Sequence, residues 1–293
     1  MTKPFEYLRP STSEEAIALK AKYKDRARYW AGGTDLMLQW RAGEVDIDYC
    51  IDLTFVPTLN YIENERDGVR IGAMTSLDAL DNAASLNQLM EVIGYTARLM
   101  CTKQTRTIST VGGNMCNASP GADLSPLFVA LDSEATIMGS DGSRTVLMEN
   151  FFQGVNETIL KDEELLVEIR VPVPDHPREA CYKRVARTFV DIALISSAVS
   201  ISSDNGVVTD ARISLGSVAP VPIRSRAAEQ KLIGSILSEI DDDILEEIGQ
   251  LAATDASPIS DIRAGKEYRL DMCTVLTRRS LEESVRNLIR KQI

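Results

Sequence analysis

The chain contains 293 residues, which is enough for one large two-lobed unit or for two to three small domains. Hydrophobic residues make up 44% and charged residues 26% of the sequence, so it can bury apolar cores and is neither disordered nor fibrous. The formal net charge of −11 disfavours nucleic acid and anionic membranes as partners, and we expect neither.

The first part of the chain predicts two helices and several short strands. The run Ser11-Thr12-Ser13-Glu14 is a capping-box pattern, and the apolar spacing after it predicts a helix that starts near residue 12. Apolar residues at helical spacing predict a second helix over 86–100, which should pack on a sheet. Strands are predicted at 27–31, 49–53 and 69–73.

The segment 107–122 differs from the rest because it carries no charge. It consists of glycine, small polar residues, proline and small apolar residues. Since charged residues cover most other loops, we predict a neutral loop here whose backbone lies close to another group.

The remainder of the chain shows β patterns followed by helical patterns. Asp141-Gly142 and Asp204-Asn205-Gly206 predict hairpin turns, and Pro172-Val173-Pro174 is the best candidate for a domain boundary. Strands followed by helices within each part indicate an α+β fold rather than a doubly wound sheet. The predicted strands are 134–138, 143–148, 164–171, 181–187, 192–202 and 207–215, and the predicted helices are 225–237, 243–253 and 272–289.

The single histidine, His176, limits the chemistry that the chain can perform alone. A His-rich zinc site cannot be built from it, and a Ser-His-Asp triad would have to use this one residue, which lies in a proline-rich turn. We interpret His176 as a loop residue, and we expect no metal site and no catalytic residue on this chain. A cofactor should therefore carry the chemistry.

Cysteine usage indicates a reducing compartment. The five cysteines form no Cys-x-x-Cys pair and are odd in number, which favours reduced thiols in a cytoplasmic protein. No secretory signal is recognised at the start, and the apolar stretches are shorter than the ~20 residues that a membrane span needs. We therefore expect no membrane insertion.

Two Gly-Gly segments are the strongest candidates for a binding site. They are Ala31-Gly32-Gly33-Thr34-Asp35 and Thr110-Val111-Gly112-Gly113-Asn114. Glycine permits positive φ and removes the Cβ that would block close approach, so consecutive backbone N–H groups can converge on phosphate oxygens. Neither segment is a P-loop or a G-x-G-x-x-G fingerprint. Each one alone is more often a tight turn than a phosphate site.

Together with their flanks, these segments carry a family resemblance. Residues 31–36 and 110–114, followed by Asn117-Ala118-Ser119-Pro120 and Asp123, resemble the FAD-binding (medium) subunit of molybdenum hydroxylases. This is the family of xanthine dehydrogenase, carbon monoxide dehydrogenase and nicotinate dehydrogenase. The likeness spans nearly the whole chain and continues in Glu164-Leu165-Leu166, Tyr182-Lys183-Arg184, residues 187–191, residues 215–220 and Tyr268-Arg269.

The resemblance implies a specific domain organisation. The fold is expected to be a para-cresol-methylhydroxylase-type FAD-binding fold in two subdomains, followed by a C-terminal α+β domain of a sheet plus helices. The first FAD-binding subdomain would span residues 1–55 and the second 56–174. The C-terminal domain, similar to that of carbon monoxide dehydrogenase flavoproteins, would span 175–293.

The resemblance also implies which residues contact FAD. One side of the pyrophosphate would be lined by Tyr29, Trp30, Ala31, Gly32, Gly33, Thr34, Asp35 and Leu36, with Gly32, Gly33 and Thr34 donating to phosphate. The second side and the ribityl chain would be held by Thr110, Val111, Gly112, Gly113 and Asn114.

Further contacts are implied outside these two segments. Cys101 would approach the flavin from the preceding helix, and Asp123 would accept hydrogen bonds from the adenosine ribose. Leu166 and Lys183 would contact the far end of the cofactor, and Ile192 would lie beside the isoalloxazine ring.

Several of these residues also have a purely structural interpretation. Asp123 could instead cap the helix that begins near Pro126, and Asp35 could cap a helix that begins at Leu36. Lys183 could be a solvated residue on an alternating strand. Cys101 is more often a buried small side chain than a reactive thiol, because no activating partner is evident in the sequence.

Two departures from relatives of this fold define the expected cofactor state. The isolated cysteines lack the inserted cluster that some relatives use for an additional iron–sulfur centre, so we predict none in this chain. Related oxidases attach flavin covalently, usually through histidine. Since the single histidine is far from both glycine segments in sequence, noncovalent FAD is preferred.

The resemblance implies that this chain is the FAD-binding subunit of a multi-subunit enzyme. A molybdopterin-binding large subunit would oxidise the substrate, and a small subunit with 2Fe-2S clusters would relay electrons to FAD and on to NAD(P)+ or a quinone. A dimer of heterotrimers in the cytoplasm is expected. The alternatives are a self-contained flavin oxidoreductase of the same fold and a flavin-free assembly module.

One surface hypothesis concerns the partners. The residues around 184–187 and the C-terminal helices form a basic cluster in an acidic chain, and they could face the iron–sulfur subunit.

Overall fold

The computed structural model describes residues 3–292 and begins with a three-stranded parallel sheet in the order first, third, second strand. One helix lies between the first two strands along the chain, and another lies between the second and third. The strands are β1 (Glu6–Leu8), β2 (Ala27–Trp30) and β3 (Tyr49–Asp52), and the helices are α1 (Ser13–Tyr23) and α2 (Leu36–Ala42).

Helix α1 is capped one residue later than the sequence pattern indicates. Its N-cap is Thr12, whose Oγ1 accepts a hydrogen bond from the N–H of Glu15 at 3.2 Å. The Glu15 carboxylate in turn accepts from the N–H of Ser11 at 2.7 Å. The helix near residue 12 is therefore confirmed, with Thr12 as the N-cap and Glu15, in place of Glu14, as the carboxylate of the capping box.

A five-stranded antiparallel sheet forms the second layer. Its strands are β4 (Ile62–Glu65), β5 (Gly68–Gly72), β6 (Glu134–Gly139), β7 (Gly142–Leu147) and β10 (Leu165–Pro172), in the order β4-β5-β10-β6-β7. Between β5 and β6 the chain forms α3 (Leu77–Asn82), α4 (Gln88–Leu99), α5 (Lys103–Arg106), α6 (Val111–Asn117) and α7 (Leu124–Ala130). A small hairpin of β8 (Phe152–Gly154) and β9 (Glu157–Thr158) precedes β10.

The prediction of a continuous loop over 107–122 was wrong, because α6 lies inside it. Thr110 caps this helix, and its Oγ1 accepts from the N–H of Gly113 at 3.0 Å. Ala118 ends the helix in the left-handed region at φ +46°. Val111 and Met115 are fully buried, so tertiary packing supports a short helix that its glycines would disfavour in isolation.

The third layer is a four-stranded antiparallel sheet with helices on it. The predicted turn at 204–206 is confirmed, with φ of +48° at Asn205 and +81° at Gly206, as a tight hairpin requires. The helix predicted over 225–237 is shorter, because Gly234 at φ +88° follows its end. The elements are β11 (Arg178–Val185), β12 (Ile195–Asp204), β13 (Val207–Gly216), β14 (Ile223–Arg224), α8 (Arg226–Leu232), α9 (Asp242–Thr254) and α10 (Lys266–Gln292).

Buried apolar side chains collect in three clusters that follow the three layers. Ile51 and Leu53 belong to the cluster at the parallel sheet, Phe128 and Ile169 to the one at the five-stranded sheet, and Ile213 to the C-terminal one. Each large sheet thus has its own core, as expected for layered α+β packing.

The long helix α10 packs against β11, β12 and α9. Cys273, Leu276 and Leu281 lie on its buried side. Among residues 3–292, no helix is both long enough and apolar enough to cross a bilayer.

A largely buried carboxylate joins β7 to the start of β10. Arg144 donates to both oxygens of Glu164, at 2.9 and 2.8 Å, and the N–H of Lys161 donates to the same carboxylate at 2.8 Å. The hydrogen bond from Arg144 is the main cause that lowers the pKa of Glu164 below its usual 4.5. Glu164 therefore contributes stability above pH 4.5 and loses it as the pH falls through its lowered pKa.

We predict that Glu164→Gln lowers the free energy of unfolding by roughly 1–3 kcal/mol at neutral pH, because hydrogen bonds to a charged group are lost. The difference from wild type should shrink below pH 4.5, as measured by urea unfolding at both pH values. Glu157→Gln, at an exposed carboxylate, is the matched control and should change stability little. An equal loss for Glu164→Gln at both pH values would contradict the assignment.

Candidate functional site

A cleft of about 570 Å³ opens beyond the end of β2, within the range of ~300–1,000 Å³ typical of ligand sites. The first glycine segment and helix α6 line its central part. The start of β10 and the segment between β11 and β12 also line it. All three layers of the fold therefore contribute to the cleft.

The first glycine segment turns sharply after β2 and leaves its main chain bare. Gly33 has φ +68°, a conformation that disfavours any side chain. A Cβ on Gly32 would lie 2.0 Å from the carbonyl oxygen of Ile108, so only glycine fits there. Within residues 3–292, the backbone N–H groups from Gly32 to Leu36 have no hydrogen-bond acceptor. Such a row of free N–H groups is suited to binding an anion.

The second glycine segment is the first turn of α6, and its two glycines have different surroundings. A Cβ on Gly112 would lie 2.6 Å from the carbonyl oxygen of Ala73, so this glycine allows close backbone packing. A Cβ on Gly113 would have only the Thr110 Oγ1 at 3.0 Å and the Ala31 Cβ at 3.7 Å nearby. Gly113 therefore leaves open space on the cleft side of the helix.

An unpaired polar atom on helix α6 is evidence that a ligand binds in the cleft. The Asn114 Oδ1 is buried and has no hydrogen-bond donor among the described residues, although Asn114 lines the cleft. A buried carbonyl oxygen without a donor is unfavourable by itself. A ligand with hydroxyl or N–H groups would remove that penalty.

The two glycine segments lie side by side, as the phosphate hypothesis requires. The Ser109 Oγ donates to the Thr34 Oγ1 at 3.4 Å, and Gln39 donates to Asn117 at the same distance. Together with the close approach at Gly32, these bonds hold bare main chain from both segments against one space.

Asp123 is buried at the cleft with a cationic and a hydroxyl partner. Its Oδ1 accepts from the hydroxyl of Tyr182 at 2.5 Å and from Arg184 at 3.0 Å, and its Oδ2 accepts from Arg184 at 2.8 Å. Burial raises the pKa of this carboxyl, and Arg184 and Tyr182 act in the opposite direction. The side chain makes no capping bond to α7, so the helix-cap interpretation is wrong.

Carboxylates in the cleft retain capacity for ligand hydroxyls. A carboxylate offers about four acceptor sites, so the bonds from Tyr182 and Arg184 leave Asp123 able to accept from a ligand. Asp35 is more exposed, makes no side-chain capping bond to α2, and also lines the cleft. Partial burial by the cleft walls raises the pKa of its carboxyl.

Most of the residues that the resemblance implies do line the cleft. These are Tyr29, Ala31, Gly32, Gly33, Thr34, Asp35, Leu36, Cys101, Thr110, Gly112, Gly113, Asn114, Asp123, Leu166 and Ile192. Trp30, Val111 and Lys183 are not among the lining residues. The ring of Trp30 lies beside Gly33, Val111 is fully buried in the core, and the Lys183 Nζ pairs with Glu283 of α10 at 2.6 Å.

Two thiols line the cleft, and neither is activated. Cys101 follows α4 in the left-handed region at φ +37°, and burial raises its pKa. Cys116 is exposed to the cleft, and desolvation by the surrounding walls raises its pKa. Neither thiol therefore has the lowered pKa that nucleophilic chemistry needs.

The basic cluster near 184–187 is compensated inside the chain. Arg184 pairs with Asp123, Lys183 pairs with Glu283, and Arg187 pairs with Asp191 at 2.6 Å. These pairs leave little net positive charge to attract an acidic partner. The residues at 184–187 therefore do not by themselves support a basic docking surface, and the part of the hypothesis that concerns the C-terminal helices stays a prediction.

Lys20 and Arg184 line the cleft but were missed as binding candidates from the sequence. The position of Lys20 was detectable, because Ala16, Ile17 and Lys20 share the buried face of α1. Its Nζ donates to the Lys24 carbonyl oxygen at 3.0 Å, and burial lowers its pKa. Arg184 belongs to the Tyr182-Lys183-Arg184 motif of the resemblance, but its place in the cleft depends on how β11 packs against α4.

Comparison with known proteins gives consistent matches along the chain. Residues 3–174 match the family described as FAD binding domain in molybdopterin dehydrogenase, and residues 180–284 match the CO dehydrogenase flavoprotein C-terminal domain. The chain is 32% identical over 280 residues to the carbon monoxide dehydrogenase medium chain of Afipia carboxidovorans, covering 96% of each chain. It is 30% identical over 282 residues to the xanthine dehydrogenase FAD-binding subunit of Escherichia coli O157:H7, covering 95% of each.

A solved structure supports the same relationship in three dimensions. One chain of the carbon monoxide dehydrogenase from Hydrogenophaga pseudoflava superposes on this chain with a TM-score of 0.92 at 29% identity. The superposition covers 97% of this chain and 98% of that one.

We predict that Gly113→Val weakens FAD binding by at least about tenfold while the chain still folds, because the added side chain would occupy open space in the cleft. Binding is measured by quenching of FAD fluorescence, and folding by thermal unfolding. Gly265→Val is the matched control, since a Cβ there meets only the Glu267 carboxylate at 3.6 Å. Gly33→Val is a weaker test, because the positive φ would strain any side chain. Wild-type FAD affinity in Gly113→Val would show that the first turn of α6 does not contact the cofactor.

Proposed function

Because the chain belongs to the family of FAD-binding medium subunits of molybdenum hydroxylases, we propose that it holds noncovalent FAD in the cleft and transfers electrons between partner and acceptor. The electrons would come from 2Fe-2S clusters on a partner subunit, and the acceptor would be NAD(P)+ or a quinone. Members of this family are oxidoreductase subunits.

The observation that best supports this proposal is the exposed main chain of the two neighbouring glycine segments. The free N–H groups of 32–36 are suited to the negative oxygens of a pyrophosphate. The open side of Gly113 leaves room for the same group, and the unpaired Asn114 Oδ1 can accept from a ribityl hydroxyl. The residues present therefore fit a flavin dinucleotide.

Further contacts follow from the distribution of polar and apolar groups along the cleft. Asp123 and Asp35 supply acceptors for sugar hydroxyls. Leu166 supplies an apolar surface at the β10 end, and Cys101 and Ile192 supply one near the β11–β12 segment. We assign the isoalloxazine ring to the Cys101 and Ile192 end. Asp123 lies at this same end through its pair with Arg184, so the expected bond to the adenosine ribose is not part of this assignment. Lys183 would join the site only if its pair with Glu283 opened.

The chain's own groups would bind and orient the cofactor, which supplies the redox chemistry. A bound flavin accepts electrons singly and delivers them as a pair. The cleft residues fix its position, and the apolar walls restrict water. His176 does not line the cleft, so this role needs no histidine acid or base from the chain.

The assembly is also proposed by analogy with the relatives. The medium chain of carbon monoxide dehydrogenase is by name one part of a larger enzyme, as is the xanthine dehydrogenase FAD-binding subunit. We propose a molybdopterin-binding large subunit and a 2Fe-2S small subunit as partners, in a dimer of heterotrimers. The free state of all five cysteines is compatible with a cytoplasmic location.

We keep the division into residues 1–55, 56–174 and 175–293 as a proposal. The three apolar clusters support it, since each gathers mainly around one sheet. The parallel sheet and the five-stranded sheet would form the two FAD-binding subdomains, and the four-stranded sheet with α8 to α10 would form the C-terminal domain.

Two rival functions give different outcomes in the same preparation. A self-contained flavin oxidoreductase would oxidise a small organic substrate as an isolated chain. A flavin-free assembly module would be colourless and would release no FAD. The free N–H groups of 32–36 and the open side of Gly113 disfavour the second rival, because a module without cofactor does not need them.

We predict that the chain purified from its native source carries the absorption bands of flavin and copurifies with molybdenum and iron. Denaturation should release FAD into solution, because no covalent attachment is expected. The chain produced alone and loaded with FAD should accept electrons from a chemical reductant but should not oxidise the substrate of the complex. Substrate oxidation by the isolated chain, or a colourless chain that takes up no FAD, would disprove the proposal.

A further inference from the structure

The side chain of Arg184, on the C-terminal sheet, forms hydrogen bonds to three other segments of the chain. It lies on β11, and its side chain is only 6% exposed. One nitrogen, Nη1, binds both carboxylate oxygens of Asp123 at the start of α7. The other, Nη2, donates to the carbonyl oxygen of Leu99 and, at 2.6 Å, to that of Phe189. The planar guanidinium thus joins α4, α7 and the segment after β11.

The first part of the cleft that Arg184 binds is the turn after α4. Arg184 binds the carbonyl oxygen of Leu99, and Arg106 donates to those of Met100 and Cys101 at 3.0 Å each. Consecutive carbonyl groups of this turn are therefore fixed by buried guanidinium groups. Cys101 has φ +37°, which is strained for a residue other than glycine and persists only where the surroundings enforce it.

The second part of the cleft that Arg184 binds is the segment 186–192. Arg184 donates to the carbonyl oxygen of Phe189 in this segment. Val190 and Ile192, which follow Phe189 in the chain, line the cleft. The side chains of Phe189, Val190 and Ile192 are exposed, so few apolar contacts hold this segment in place. The bond to Arg184 is therefore one constraint on where Ile192 lies, together with the Arg187–Asp191 pair.

We propose that Arg184 is a positioning residue for the flavin end of the cleft, acting through the turn at Leu99–Cys101 and the segment 186–192. This inference rests on the proposed function for the identity of the ligand. The geometric part of the proposal concerns the chain without cofactor, because Arg184 binds the carbonyl oxygens of Leu99 and Phe189 in the chain itself. Asp123 keeps the guanidinium in place and neutralises its charge.

Lysine is the informative substitution at this position. A lysine can keep the charge and pair with Asp123, but a single ammonium on a flexible stem cannot reproduce the planar fork that reaches both carbonyl groups. Arg184→Lys should therefore release the two walls without leaving Asp123 unpaired. Arg212→Lys is the matched control, because Arg212 also links the C-terminal sheet to the FAD-binding part, through Asp132 at 3.2 Å, and does not line the cleft.

The experiment compares full-length wild type, Arg184→Lys and Arg212→Lys, each carrying Cys116→Ser so that Cys101 is the thiol facing the cleft. Maleimide labelling of Cys101 without FAD should be about tenfold faster in Arg184→Lys, because the strained turn is released. FAD affinity should fall by about tenfold, consistent with the loss of two hydrogen bonds. The visible circular dichroism of bound FAD should change. Arg212→Lys should match wild type in all three measurements.

Unchanged labelling and unchanged flavin dichroism in a folded Arg184→Lys protein would overturn the proposal, even if its melting temperature falls. If that variant does not fold, Arg106→Lys tests the same turn, because it releases Met100 and Cys101 without touching Asp123. Wild-type labelling in Arg106→Lys would then overturn it. If wild type itself takes up no FAD, the proposed function fails, and the labelling comparison still decides the role of Arg184.

Discussion

The cleft depends on one close approach between two stretches of main chain. At Gly32 the backbone passes so near the carbonyl oxygen of Ile108 that any side chain would push the two segments apart. Gly112 makes a similar approach to Ala73, so the first glycine of each pair serves packing. The second glycine of each pair shapes the space that remains, through positive φ at Gly33 and through open volume at Gly113. Each Gly-Gly pair therefore combines a structural residue with a residue of the site.

Most elements of the fold could be predicted from the sequence, because apolar spacing and turn residues agree with the final packing. The strands at 27–30 and 49–52, the hairpin turn at Asn205-Gly206 and the helix α4 lie where their patterns indicate, within a few residues. Helix α6 was predicted as loop because glycines and small polar residues disfavour a helix locally. Its cap at Thr110 and the burial of Val111 and Met115 override that tendency.

The site could be predicted only in part, for a related reason. The glycine segments are continuous in sequence, so their flanks were sufficient to identify them. Lys20 lies on the apolar face of α1, which the sequence spacing indicates, whereas the place of Arg184 in the cleft depends on tertiary packing. The charge pattern was also incomplete, because Asp123 and Glu283, which pair with Arg184 and Lys183, lie far from them in the sequence. Pairing of charges across a fold is not visible in composition.

The strand order of the five-stranded sheet has a consequence for how the protein is made. Strand β10 lies between β5 and β6, so the sheet cannot close until the ribosome has delivered residues 165–172. The walls from 186–192 and Arg184 emerge later still. A nascent chain therefore displays its two glycine segments long before it has the remaining walls of the cleft, and non-local pairing of this kind is slow to form. Cofactor loading thus belongs to the end of synthesis or to the period after release, when free FAD in the cell can stabilise the completed chain by mass action.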